Sequence, residues 1–329
     1  MPIITKNNNN EKNDINLKEK KEEKTREGYR NSSNSLNFKL SDPIYNLSDM
    51  VLPKQTKDKI NDVISSRDYR KMIFEDWGLG YVLPEFKNKI AVNLYGKPGT
   101  GKTMAAHAIA NALNKKILKI NYAEIESKYV GDTAKNLERA FKEAKEQEAI
   151  LFFDEADALL SRRVTNMNNS TDVSVNQTRS VLLMLMNTYE DIILFTTNFI
   201  SNFDEAFMRR IQYHIRFELP EYEARKMLWR KYIPEKMPND ADINLLALKY
   251  DKISGSDIAN AVLAAAFKAA REQELIVRNN FFEEAIKSII ESKADNSNIT
   301  TDDANKIKIE KRYVDEEYVK SQIGEIRGN

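Results

Sequence analysis

Short apolar runs alternate with longer amphipathic patterns through the middle of the chain. The runs are Ala91–Tyr95, Ile117–Asn121, Ile150–Phe153, Ile192–Thr197 and His214–Phe217. They have strand length, and they are rich in the β-branched and aromatic residues that suit buried strands. Between them, apolar positions recur at helical spacing over about 102–114, 133–147 and 175–189. A parallel pair of strands needs a crossover long enough to hold a helix, so this alternation predicts an α/β fold with a parallel sheet over residues 90–219.

After Pro220 the strand signal stops. Glu221–Tyr232, Asp242–Tyr250, Gly255–Gln273 and Asn280–Ser292 all read as helices, the third with an apolar centre at Ile258, Val262, Leu263 and Phe267. Helices without strands predict an all-helical subdomain over 220–293. On the other side, Lys54–Phe74 reads as an amphipathic helix entered at Pro53. Trp77, Gly78, Gly80 and Pro84 then mark a turn-rich connection, with Trp77 expected to be structural, and together these make a linker over 44–89. Residues 1–43 are rich in Asn, Lys, Glu and Ser, and bury too little apolar surface to offset the cost of ordering their backbone, so a disordered tail is expected. Residues 294–329 are a second polar tail with one short helix around Glu316–Ile326.

Composition removes several kinds of chemistry. Lys and Arg total 51 against 50 Asp and Glu, a net charge of +1, so the chain as a whole is no glove for a polyanion. It has no cysteine, which excludes disulfides, thiolate metal sites and cysteine nucleophiles. His107 and His214 are its two histidines, too few for a multi-histidine metal site and without an HExxH motif; His107 is expected to pack or lie on the surface. No apolar run approaches the roughly 20 residues of a membrane span, and the N-terminus lacks a signal-like apolar segment. A cytoplasmic protein with no membrane partner is expected.

At the end of the first apolar run stands Gly96-Lys97-Pro98-Gly99-Thr100-Gly101-Lys102-Thr103, followed by Met104 in the next helix. This fits G-x-x-x-x-G-K-[ST] between a strand and a helix. The glycines let successive N–H groups turn inward around phosphate oxygens, and the helix adds its positive end. Lys102 would reach the β- and γ-phosphates and the Thr103 hydroxyl would ligate Mg²⁺. Further on, the strand Ile150–Phe153 ends in Asp154-Glu155. Both carboxylates are thereby delivered to the C-terminal edge of the sheet: Asp154 to hold Mg²⁺, Glu155 to polarise an attacking water. The pair points to ATP and Mg²⁺ as cofactors and to hydrolysis.

These residues resemble the AAA family of P-loop ATPases, within the AAA+ class, over about Leu47 to Ile290, and four more stretches carry the likeness. Ile193–Asn198 is similar to the strand that ends in the sensor-1 Asn, which implies that Asn198 stands between the metal motif and the γ-phosphate. Phe203–Arg210 resembles the second region of homology, whose two arginines, here Arg209 and Arg210, act in the neighbouring subunit's site. Lys128-Tyr129-Val130-Gly131 looks like pore loop 1, implying that Tyr129 and Val130 touch a polypeptide in the channel of a homo-hexamer. Ser254–Ile258 is similar to the lid-helix start, with Gly255 and Ser256 approaching the nucleotide and Asp257 as a cap; the arginine of wider AAA+ sensor-2 motifs is missing. Arg162-Arg163 is a weaker candidate for an intersubunit contact, and Val164–Val175 for a second pore loop.

The resemblance implies a remodeller that threads a protein client, alone or through an adaptor. Its compact plan is similar to stand-alone bacterial ATPases that unfold HORMA-type signalling proteins, to those of contractile injection loci and to Rubisco activase-like remodellers. The alternative is a nucleic-acid motor or loader, which calls for a basic, non-aromatic pore segment that this sequence lacks.

Overall fold

The computed structural model describes residues 38–121, 132–161, 170–198 and 203–306. Its centre is a sheet of six strands: β1 (Leu40–Ser41), β2 (Ile90–Gly96), β3 (Ile117–Asn121), β4 (Ile150–Asp154), β5 (Ile192–Thr197) and β6 (Tyr213–Phe217). The spatial order is β1-β3-β4-β5-β2-β6. β2 to β6 are parallel, whereas β1 runs antiparallel to β3 with Leu40 opposite Leu118. This edge strand falls inside the stretch expected to be disordered. Phe38 and Leu40 pack on the core beneath it, and the pairing covers the open edge of β3.

The interior strands are buried on both faces, which explains their nearly unbroken apolar sequences. One face holds Val92, Leu94, Phe152 and Leu194 against α1 (Lys54–Ser65) and α2 (Lys102–Ala112). The other holds Leu151, Phe153, Ile193 and Phe195 against α3 (Asp132–Glu146) and α4 (Ser170–Thr188). Helix α1 stops at Ser65, short of the expected Phe74. The hydroxyls of Ser65 and Ser66 bond back to the carbonyls of Asn61 and Val63 (2.8 and 2.7 Å), competing with helix continuation. Beyond it, Trp77 is 66% exposed, beside Tyr81 at 91%, so the tryptophan expected to be structural is a surface residue.

Four helices follow the sheet: α5 (Tyr222–Tyr232), α6 (Ile243–Lys249), α7 (Gly255–Arg271) and α8 (Asn279–Lys306). They share a separate core in which Trp229 and Phe282 meet edge to face at 6.1 Å. Helix α8 runs well past the expected end at Ser292. Its sequence turns polar there, but no glycine or proline interrupts it, and Lys293 ties it to Asp257 of α7 at 2.6 Å.

Burial pushes both imidazoles below their ordinary range. At His107 the Lys119 charge adds to the effect, and at His214 it outweighs the nearby Met208 and Ile211 carbonyls. The unfolded chain therefore binds protons that the folded chain refuses. This contribution is complete above about pH 6.5, the imidazole's unfolded value, and is lost as pH falls towards the folded values. Between pH 7.5 and 5.5 the unfolding midpoint, followed by circular dichroism, should drop by roughly 2–5 °C, and a His107→Gln/His214→Gln variant should lose most of that slope.

Candidate nucleotide-binding site

Strand β2 ends at Gly96, and the backbone must then curl tightly before α2. A Cβ on Gly96 (φ 145°) would lie 2.0 Å from the Phe217 carbonyl oxygen of β6. One on Gly99 (φ 74°) would lie 2.0 Å from Ser256 Oγ. Only glycine fits either place. Between them Thr100 Oγ1 donates to the Lys97 carbonyl at 2.7 Å, and Gly101 (φ 99°) leads into α2, whose first N–H groups lack partners within the helix. A concave run of backbone donors at a helix N-terminus is an anion cradle.

Lys102 opens α2 and is buried. Its ammonium donates to the carbonyls of Gly96 (2.7 Å) and Lys97 (3.0 Å) and to Asn198 Oδ1 (3.0 Å). Burial lowers its proton affinity, while Asp157, Asp154 and Glu155 act the other way. The contact with Asn198 follows from topology. Strand β5 lies between β2 and β4, so its C-terminal end sits between the loop after β2 and the acids after β4. Asn198 is fixed there by its own N–H, which donates to Asp157 Oδ1 at 3.0 Å.

Asp154, the last residue of β4, receives three hydrogen bonds. Thr103 (3.2 Å) and Thr196 (2.5 Å) donate to Oδ1, and Lys119 Nζ donates to Oδ2 at 2.7 Å. Burial alone would push the carboxyl up, but Lys119, Thr196 and Thr103 together hold it below the usual carboxylate range. Glu155 follows with φ 53°, a left-handed conformation that costs a non-glycine residue about 1–2 kcal/mol. Pro98, Lys102, Thr103, Asp154, Glu155 and Asn198 line one polar chamber of about 150 Å³. A hydroxyl beside an ionised carboxylate is a hard-oxygen donor set, which fits Mg²⁺.

A larger cleft of about 370 Å³ adjoins the same loop. Thr100, Gly101 and Met104 line one side, Gly255 and Ser256 another, and Met50, Val51 and Leu52 a third. At the N-terminus of α7, Ser254 and Asp257 form a reciprocal cap, and the Ser256 N–H donates to the Gly99 carbonyl at 3.2 Å. The helical subdomain therefore touches the phosphate loop directly.

Arg209 and Arg210 line neither cavity. Arg209 is exposed and meets Glu205 at 3.7 Å, whereas Arg210 donates to Asn187 Oδ1 and the Ala206 carbonyl, both at 2.8 Å. Tyr129, Val130 and the Arg162-Arg163 pair lie outside the described residues. The sequence reasoning missed Lys119, Thr196 and the wall formed by Met50 to Leu52. Thr196 could have been found from strand alternation, since it lies two residues before Asn198 at the end of β5.

Residues 92–219 match the AAA family, the ATPase family associated with various cellular activities. Residues 92–219 form an AAA-family domain. Among its relatives is Cell division protein C of Sulfolobus acidocaldarius, 29% identical over 69% of this chain and 63% of its own length. The ATP-dependent zinc metalloprotease FtsH of Lachnoclostridium phytofermentans is 30% identical over 74% of this chain and 42% of that protein. Proteasome-activating nucleotidase 2 of Haloferax volcanii is 34% identical over 59% and 49%. The chain thus spans less than two thirds of each of these relatives. Among the described residues, no helix is long and apolar enough to cross a membrane.

Proposed function

We propose that this chain binds Mg-ATP and hydrolyses it as a homo-hexamer, and that the work remodels a protein client passing Tyr129 and Val130. The observation that carries the enzymatic part is the convergence of Lys102, Asn198, Asp154 and Glu155 on one chamber beside a glycine cradle. Thr103 and Asp154 would hold Mg²⁺, which when bound neutralises phosphate charge. The backbone N–H groups before and within the first turn of α2 would bind the phosphates, with Lys102 adding its charge beside them. Glu155 would accept the proton of the attacking water, and Asn198, anchored by Asp157, would hold that water in line.

Assembly is supported by what the single chain leaves unused. Arg209 is exposed and does not line its own chamber, and Trp77, Tyr81 and Phe267 are large apolar residues open to solvent. A protein client is supported by the names of two relatives, a protease and a proteasome activator.

The decisive experiment mixes two inactive variants. Arg209→Ala keeps its own acids and Arg210 but withholds Arg209 from its neighbour, whereas Glu155→Gln keeps both arginines and loses the acid. Each alone should bind ATP and hydrolyse it at least about 100-fold more slowly, within the range removed by loss of an arginine finger or a general base. Mixed, they should recover phosphate release at the interfaces where an intact acid faces an intact arginine. A mixture as inactive as its parts would show that Arg209 does not act between subunits.

A further inference from the structure

Strands β4 and β5 pair in register at Leu151–Ile193, Phe152–Leu194 and Phe153–Phe195, and there their ladder ends. The next residue of β5 is Thr196, 2% exposed. It meets three consecutive residues of the chain leaving β4. Its hydroxyl donates to Asp154 Oδ1 at 2.5 Å and accepts the Glu155 N–H at 3.0 Å, while its carbonyl accepts the Ala156 N–H at 2.8 Å. A side chain thus continues the strand pairing around a turn that the backbone ladder cannot follow. At the centre of that turn is Glu155, held with φ 53°. Strained backbone of this sort persists only where its surroundings over-determine it, and the Thr196 hydroxyl supplies the acceptor that the displaced N–H needs.

We propose that Thr196 is a positioning residue for both acids: one hydroxyl orients the metal-binding carboxylate of Asp154 and locks Glu155 in the left-handed turn that aims it into the chamber. This rests on the reading of the site as one that hydrolyses Mg-ATP. The first role needs a donor and the second an acceptor, and a hydroxyl is both at once. Serine can serve, valine and alanine cannot, although valine has nearly the same shape and the same liking for a strand. Without the hydroxyl, Asp154 keeps its other donors, Lys119 and Thr103, and its carboxylate is free to turn towards the Lys119 ammonium. The Glu155 N–H is left without its partner, and the reason for the left-handed turn is gone.

The test uses the whole chain with Thr196→Val and Thr196→Ser. A fluorescent ATP analogue is titrated with and without Mg²⁺, and phosphate release from ATP is followed in parallel. Thr196→Val should bind the metal-free nucleotide as the parent does, need at least about threefold more Mg²⁺ for half-maximal tightening, and lose about tenfold or more in kcat with little change in KM. Thr196→Ser should return both quantities to within about twofold. If circular dichroism shows that the valine variant fails to fold, Thr196→Ala against Thr196→Ser makes the same comparison. Parental metal dependence and kcat in the valine variant would overturn the proposal, as would equal impairment by serine and valine. Should the parent chain release no phosphate at all, the hydrolysis reading falls instead. The Mg²⁺ titration would then still decide whether the hydroxyl orients Asp154.

Discussion

Glu155→Gln is expected to bind ATP with nearly the parental affinity and to release phosphate about 10²–10⁴-fold more slowly, the span that a positioned general base contributes. The substitution is nearly isosteric. It leaves the Glu155 N–H on Thr196 Oγ1 (3.0 Å), so the left-handed turn and the orientation of Asp154 stay in place. What it removes is a carboxylate that can take a proton; an amide offers an oxygen of the same reach and almost no basicity. The fall should therefore lie in kcat, with the dissociation constant of a fluorescent nucleotide changed by no more than about twofold. A variant that hydrolyses ATP within about fivefold of the parent would show that another group handles the proton.

Lys102→Ala is expected to lose nucleotide binding, by about 100-fold or more in dissociation constant. Each hydrogen bond to a charged group is worth about 1.5–3 kcal/mol, and tenfold in affinity is about 1.4 kcal/mol, so one or two such bonds suffice. The structure adds a second reason. The buried ammonium cross-links the Gly96 and Lys97 carbonyls to Asn198, so it holds the phosphate loop to the end of β5 even without a ligand. Truncation leaves three acceptors short of a donor, and the loop should loosen as the charge disappears. Thermal unfolding separates the two effects: a variant with the parental midpoint that still fails to bind ATP has lost the phosphate contact itself. Tight ATP binding by Lys102→Ala would place the nucleotide elsewhere.

Much of the fold is legible without coordinates because the strands are buried on both faces and hence almost wholly apolar. Ile192–Thr197 and Ile150–Phe153 stand out against the charged helices between them. The phosphate loop is legible for a different reason: Gly96 and Gly99 occupy places where a Cβ would strike Phe217 or Ser256, so the sequence has no freedom there. Where local sequence misleads, the deciding contact lies far along the chain. Leu40–Ser41 sits in polar surroundings and becomes a strand because β3, 76 or more positions away, offers an open edge. Lys293 falls in a polar run and remains helical, bonded to Asp257.

An α/β core, a glycine loop between strand and helix and a pair of strand-end acids follow from the sequence alone, because tight turns and doubly buried strands leave few residue choices. Only the tertiary structure decided which side chains complete the chamber. Lys119, Thr196 and Asp157 reach Asp154, Glu155 and Asn198 through the order in which β3, β4 and β5 lie side by side, and through a turn after β4 that carries Glu155 into left-handed backbone. Such contacts join residues that are neighbours across a sheet and strangers along the chain, and no local periodicity encodes them.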